Sequence, residues 1–67
     1  MKLSEYVKRD RENKAMTQTE YAKYLGVFIN TVFNLENDKC KPSIKTKKIL
    51  KKKLKLSIEE INEMIGD

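Results

Sequence analysis

The strongest constraint on the fold is one glycine, Gly26, which divides two short segments within residues 18–35. Both segments place apolar residues three or four positions apart, as one buried helix face does: Tyr21, Ala22 and Leu25 before the glycine, and Val32 and Leu35 after it. Glycine readily adopts the left-handed conformation that stops a helix, and this chain has only 2 glycines. Residues 18–35 therefore predict two short helices joined by a sharp bend.

Helix start signals recur along the chain and extend this prediction to further helices. Thr17 and Glu20 have the spacing of a capping box, Ser57 and Glu60 have it again, and Ser43 is a candidate N-cap. Apolar residues at helical spacing then place helices at about 3–13, 17–25, 28–36, 43–54 and 57–65. We expect an all-α fold, a compact five-helix bundle, with residues 1–67 forming a single domain.

The composition indicates an ordered domain with a cationic surface. The 67 residues hold 15 Lys and Arg against 10 Asp and Glu, which gives a net charge of +5 and leaves room for one small core. A basic surface attracts anionic partners, most often nucleic acid and less often acidic lipid. The charge balance therefore favours a nucleic-acid partner.

Residues that build metal or catalytic sites are missing from the sequence. The chain has no histidine and 1 cysteine, Cys40, which excludes the usual zinc spacings, an intrachain disulfide and a Cys–His catalytic pair. It also has no Gly-rich phosphate loop. We expect no metal, no cofactor and no enzymatic activity.

Charged residues interrupt the apolar ones throughout residues 1–13, a pattern that does not match a signal peptide. No window of the sequence approaches the roughly 18 apolar residues of a membrane-spanning helix. We therefore expect a cytoplasmic protein that does not enter a membrane.

A more specific signal comes from fourteen residues between the second predicted helix and the loop after the third. These residues are Gln18, Glu20, Ala22, Leu25, Gly26, Val27, Thr31, Val32, Leu35, Glu36, Lys39, Lys41, Pro42 and Ser43. This pattern resembles the helix-turn-helix family of phage Cro and repressor proteins, often called Xre-like. A small residue at Ala22 lets two helices cross closely, and Gly26 supplies the turn. The resemblance covers about residues 3–61 and implies a lambda-repressor-like DNA-binding domain.

In that family the third helix lies in the major groove, so the resemblance implies base contacts from its outward residues, Ile29, Asn30, Phe33 and Asn34. An asparagine amide both donates and accepts hydrogen bonds, which suits the N6/N7 edge of adenine. Ile29 and Phe33 offer only apolar contact, for which thymine methyl groups are the best match. These residues predict an operator with A·T pairs at the contacted steps.

The resemblance also assigns contacts with the DNA backbone and one structural ion pair. Gln18 starts the second helix, where the positive end of the helix dipole favours a phosphate. Lys39 and Lys41 match basic positions that hold phosphates. Arg11 and Glu36 match a salt bridge between the first helix and the third, and we expect it to orient these helices more than to stabilise them.

Phe28 departs from the family pattern, because a Ser or Thr usually caps the recognition helix at that position. Without a capping oxygen, either the helix begins later with Asn30 as its cap, or its free amides face a phosphate. Phe28, Ile29 and Phe33 also form a candidate apolar patch, which is unusual on a surface that reads a DNA groove. This patch favours an alternative function, a protein-interaction module of the antitoxin or anti-repressor type on the same fold.

The last two predicted helices leave further alternatives open. Outside its lysines, the fourth helix has an apolar side that consists of Ile44, Ile49, Leu50 and Leu54. The lysines form either a solvated face or a general electrostatic attraction for DNA. The apolar side of the fifth helix either closes the core or forms a homodimer contact, and it consists of Ile58, Ile61, Met64 and Ile65.

Taken together, the sequence predicts a sequence-specific, DNA-binding transcriptional regulator of the Cro/repressor type, with residues 28–36 as the recognition helix. Its expected partner is double-stranded DNA, and a homodimer would read a palindromic operator with half-sites about one helical turn apart. Non-specific nucleic-acid binding through the lysine face ranks below this function and below the protein-interaction alternative.

Overall fold

The structure, a computed structural model, describes residues 2–39 and 41–66, and within those ranges it contains helices and no strands. The helices are α1 (Leu3–Asn13), α2 (Gln18–Leu25), α3 (Ile29–Glu36), α4 (Ile44–Leu54) and α5 (Ile58–Gly66). They pack into a compact bundle with a radius of gyration of 10.6 Å. The predicted all-α fold with five helices is confirmed. Cys40, the single cysteine considered above for a disulfide or a catalytic pair, lies outside the described residues.

Hydroxyl side chains fix the starts of three helices. The Thr17 side chain accepts a hydrogen bond from the Glu20 N–H at 3.1 Å, and the Glu20 carboxylate accepts one from the Thr17 N–H at 2.8 Å. Ser57 and Glu60 form the same reciprocal pair at 3.0 and 3.1 Å, and Ser43 caps α4. Because these capping residues precede the helical segments, α2, α4 and α5 begin one residue later than predicted. The predicted start of α3 at Phe28 is also wrong by one residue, since Phe28 is the N-cap and the helix begins at Ile29.

The core lies where the helices meet, and its buried apolar residues are Leu3, Val7, Tyr21, Ala22, Leu25, Val32, Leu35, Leu50, Leu54, Leu56 and Ile61. The expectation that Ile44 lies on the apolar side of α4 is wrong, since its side chain is 71% exposed. Six residues of helix rotate Ile44 by about 120° from Leu50, which is buried. Leu56 joins the core from the connection between α4 and α5, where helical spacing gives no signal.

Tyr21 is fully buried, yet its hydroxyl is paired. The hydroxyl donates to Oδ2 of Asp10 at 2.7 Å, and Nζ of Lys14 lies 2.6 Å from Oδ1 of the same carboxylate. Burial, and secondly the hydrogen bond to Asp10, raise the pKa of Tyr21 above its ordinary value. This arrangement connects α1 to α2 and leaves the buried hydroxyl satisfied.

The bend between α2 and α3 depends on Gly26, whose φ is 79°. The N–H of Gly26 donates to the Ala22 carbonyl at 2.8 Å, and the N–H of Val27 donates to the same carbonyl at 3.0 Å. A left-handed residue at this position satisfies the last carbonyls of α2 and redirects the chain. The predicted turn is therefore present, and it brings α3 against α2.

We expect Gly26→Ala to lower the free energy of unfolding by about 1–2 kcal/mol, because an L side chain is strained in the left-handed region. A Cβ built on Gly26 meets no atom within 4 Å, so the loss comes from the backbone conformation and not from a clash. Gly26→Asn should lose less, since asparagine tolerates this region better. Urea denaturation followed by circular dichroism measures both variants, and a Gly26→Ala protein as stable as the wild type would contradict the expectation.

Candidate nucleic-acid interface

The outward surface of α3 presents the four residues for which base contacts are predicted. Ile29, Asn30 and Phe33 are exposed, and Asn34 is half-buried. Asn30 and Asn34 are one helical turn apart, so their amides project from the same face. The opposite face of α3 is buried in the core. The four residues therefore lie together, with Asn34 less accessible than the others.

No side chain caps the first turn of α3. Phe28 occupies the N-cap position with φ −73° and ψ 151°, and its side chain makes no capping hydrogen bond. The Thr31 N–H reaches back to the Phe28 carbonyl at 2.9 Å. Asn30 lies inside the helix, so the hypothesis that Asn30 caps α3 is wrong. The positive end of α3 is consequently open to an anion.

An ion pair with fork geometry joins α1 to the end of α3. Nε of Arg11 donates to Oε2 of Glu36 at 2.7 Å, and Nη2 donates to Oε1 at 3.1 Å. Nη1 donates to the Met16 carbonyl at 2.9 Å. The side chains are only 16% and 4% exposed, and the hydrogen bond to Glu36 raises the pKa of Arg11. Two parallel bonds restrict rotation, so this pair sets the orientation of α1 against α3.

Gln18 shares the Glu36 carboxylate with Arg11. Its Nε2 donates to Oε1 of Glu36 at 3.3 Å, which is a long hydrogen bond. Gln18 is the first residue of α2 and is half-buried. The residue predicted to contact the DNA backbone is therefore held at the end of α3 by the same carboxylate that orients α1.

The chain folds back over α3 immediately after the helix ends. Asp38 has a φ of 55°, and the Lys39 N–H donates to the Asn34 carbonyl at 3.1 Å. This turn places Nζ of Lys39 over the ring of Phe33, 5.6 Å from its centroid. Lys39, which is predicted to hold a phosphate, is thus positioned by Phe33, which is predicted to contact a base.

Lys41 is exposed and lies between two clefts. Together with Asn34 and Thr46 it lines a cleft of about 160 Å³ beside α3. Together with Lys39 it also lines a second cleft, of about 290 Å³, against the start of α1. The structure therefore brings both predicted phosphate-binding lysines next to the outward face of α3.

The candidate apolar patch is divided between different neighbours. Phe28 is 84% exposed and lines a cleft of about 320 Å³ together with Thr31, Lys45 and Ile49. Phe33 is 43% exposed and lies beneath Lys39. The Phe33 ring consequently has a cation above it, whereas the Phe28 ring faces the side of α3 next to α4.

Two contacts at this surface could not be predicted from the types and spacing of residues in the sequence. The Met16 carbonyl accepts from Arg11, and a backbone acceptor cannot be recognised from residue type. The pairing of Phe33 with Lys39 spans six positions, which is not a helical neighbour spacing, and it requires the turn at Asp38. The exposure of Ile29, by contrast, follows from its place on the outward face of α3.

Within residues 2–39 and 41–66, no group of three or more Cys, Asp or Glu side chains is arranged to hold a metal ion. Among the helices of the same residues, none combines the length and the apolar composition that a membrane span requires.

Comparison with protein families gave a match to a family described as helix-turn-helix, over residues 7–61. The matched segment includes most of α1, all of α2, α3 and α4, and the first part of α5. Comparison with curated proteins and with solved structures gave no match. The matched segment contains every residue that forms the outward surface described above.

We expect Glu36→Gln to lower the free energy of unfolding by about 2 kcal/mol, because the partly buried Arg11 guanidinium loses its charged acceptor. Arg11→Met alone should also be destabilising, since it leaves the Glu36 carboxylate buried without its ion partner. The double variant Arg11→Met/Glu36→Gln should cost less than the sum of the two single changes. Urea denaturation of the four proteins at pH 7 measures this coupling, and additive losses would contradict it.

Proposed function

Since the chain belongs to the helix-turn-helix family, whose Xre-like members are DNA-binding transcription regulators, we propose that it is a sequence-specific regulator of the Cro/repressor type. It binds a palindromic operator as a homodimer and blocks or recruits polymerase there. The observation that carries this proposal is the grouping of Asn30, Asn34, Gln18, Lys39 and Lys41 around one exposed helix face.

In this proposal α3 enters the major groove and its side chains read base edges. Asn30 is free of a capping role, so its amide can form the paired hydrogen bonds that select adenine. Asn34 adds a second amide one turn later, and its partial burial limits its reach to one side of the groove. Ile29 and Phe33 contact thymine methyl groups. The operator therefore contains A·T pairs at the positions nearest α3.

Phosphate contacts come from residues grouped near the Glu36 end of α3. The first turn of α2 begins at Gln18, whose side chain bonds to Glu36, and the backbone N–H groups of that turn meet a phosphate. Lys39 and Lys41 follow the same end of α3 and meet neighbouring phosphates. Such contacts fix the orientation of the protein and leave sequence selection to the α3 side chains.

The homodimer is proposed to form through α5. Ile61 is fully buried and belongs to the core, whereas Ile58, Met64 and Ile65 are only half-buried. Both earlier alternatives for this helix thus have support, because one residue closes the core and three retain exposed apolar surface. Half-sites one helical turn apart are separated by about 34–36 Å, which is also the separation required between the recognition helices of two adjacent protomers. The longest extent of one protomer is 26 Å between Cα atoms, and its side chains add to this width.

The protein-interaction module remains a second candidate because of one observation, the 84% exposure of Phe28. A large aromatic side chain this exposed is typical of a protein contact. In this second proposal Phe28, Ile29 and Phe33 dock a protein partner of the antitoxin or anti-repressor type.

Selection of bound sequences from a random double-stranded DNA library tests the first proposal. The expected result is a palindromic consensus with A·T pairs and half-sites about one helical turn apart. Recovery of sequences with no shared consensus would contradict sequence-specific reading. A consensus without two-fold symmetry would contradict the homodimer and leave base reading in place.

We expect Asn34→Ala to reduce the preference for the selected operator over random DNA by about 1–3 kcal/mol, or roughly 5- to 150-fold. The loss arises because one amide no longer bonds to its base. Asn13→Ala is the matched control, since Asn13 is an exposed asparagine at the end of α1 and has no assigned DNA contact. Fluorescence anisotropy with both DNAs measures the preference, and an unchanged value would remove Asn34 from the base contacts.

We expect Phe33→Leu to weaken operator binding by roughly 2- to 5-fold, since Leu keeps the apolar contact and loses the about 0.5–1 kcal/mol attraction that holds Lys39. Phe33→Tyr should bind like the wild type because its ring retains that attraction. Phe33→Ala separates the two proposals. It should lower DNA affinity if Phe33 contacts a base and leave it unchanged if Phe33 serves only a protein partner, and equal affinities for Phe33→Leu and Phe33→Tyr would contradict the role assigned to the ring.

A further inference from the structure

Lysines cover the surface of α4 without any compensating acid. The helix reads IKTKKILKKKL, with six lysines and no Asp or Glu, and Lys55 follows at its end. Two of these lysines have neighbours on other helices. Nζ of Lys47 donates to Oδ1 of Asn62 at 2.9 Å, and Nζ of Lys53 lies 5.1 Å from the centroid of the Tyr24 ring. These two lysines therefore help to pack α4 against α5 and α2.

The other lysines form an exposed face. Within residues 2–39 and 41–66, no hydrogen bond or ion pair engages their ammonium groups, and all of them are exposed: Lys45, Lys48, Lys51, Lys52 and Lys55. Lys45, Lys48 and Lys52 follow one another at spacings of three and four residues, so they form one row along the helix. We call these three residues the lysine row.

Helix stability explains only one member of the lysine row. The negative end of the helix dipole favours lysines in the last turn, which accounts for Lys52. Lys45 lies in the first turn of α4, where the dipole disfavours a cation, and Lys48 lies beyond the reach of either helix end. Like charges three or four residues apart on a helix also destabilise it by about 0.2–0.5 kcal/mol per pair. The charges of Lys45 and Lys48 thus have no stabilising role in α4.

The lysine row starts at the proposed DNA interface and leads away from it. Lys45 lines the cleft that also contains Phe28 and Thr31, at the beginning of α3. From Lys45 to Lys52 the helix rises by about 10 Å. Phosphates of one DNA strand follow each other every 3.4 Å along the duplex axis. The row is therefore long enough to meet several successive phosphates.

We propose that the lysine row is a second DNA-contacting surface, engaged by duplex that flanks the segment read by α3. Charge complementarity identifies the partner, since a row of exposed ammonium groups without an ion pair among the described residues suits a regular line of phosphates. The proposal rests on the part of the proposed function in which α3 meets DNA. It assigns the lysine row no role in sequence selection.

The test compares the variant Lys48→Gln/Lys52→Gln with the wild type on two duplexes. One duplex ends at the bases contacted by α3, and the other continues for about ten base pairs on each side. The measurement is the slope of log K against log salt concentration. On the long duplex the variant should have a slope smaller by about 1.8, which is two lysines at about 0.9 each, and on the short duplex the slopes should agree.

A matched control removes two other exposed lysines, Lys8 and Lys23, as Lys8→Gln/Lys23→Gln. This control has the same net charge as the variant and should retain the wild-type slope on both duplexes. The proposal would be overturned if both double variants changed the salt slope equally, or if the variant changed it equally on both duplexes. Either result would indicate a general effect of net charge. An unchanged slope on the long duplex would overturn it as well and indicate a solvated face.

Two further measurements keep the result unambiguous. Circular dichroism should show the variant to be at least as stable as the wild type, because like charges have been removed, and Lys48→Arg/Lys52→Arg should restore the slope. Repeating the titration with random-sequence duplexes of both lengths separates this proposal from the proposed function. Suppose that the slopes of the variant and the wild type differ on the long random duplex alone and that neither protein prefers the operator. This result would reject sequence-specific reading and retain the lysine row as a DNA contact.

Discussion

The hydrogen bonds accepted by the Glu36 carboxylate are the interaction on which the surface around α3 depends. The carboxylate accepts two hydrogen bonds from Arg11 on α1 and one from Gln18 on α2, and it stands at the end of α3. Three helices are therefore held in a fixed relation by one group that is almost completely buried. Since such a pair contributes little net energy to folding when both partners are present, its main effect is on orientation.

This fixed relation gives the surface around α3 its order. The turn at Gly26 brings α3 against α2, and the turn at Asp38 brings Lys39 back over Phe33. The start of α2 and Lys39 thus both lie at the Glu36 end of α3, next to its polar amides. In the proposed complex this grouping suits a duplex, because base edges lie in the groove and phosphates lie along its borders.

The sequence was sufficient wherever a local rule decides the structure. Capping residues and Gly26 placed the helix boundaries within one residue, since a cap acts on its own first turn. Ile44 was wrongly placed on the apolar side of α4, because the spacing of apolar residues does not reveal which of them meet a neighbouring helix. Leu56 and the pairing of Phe33 with Lys39 were missed, because each depends on how the chain turns after a helix ends.

In the proposed complex, α3 meets DNA with its outward face. Titration of the ¹⁵N-labelled protein with a selected duplex, followed by two-dimensional NMR, tests this contact. We expect the largest amide shifts at Asn30, Phe33 and Asn34, with further shifts at Gln18 and Lys39. Shifts confined to α4 and α5, with the α3 signals unchanged, would contradict it.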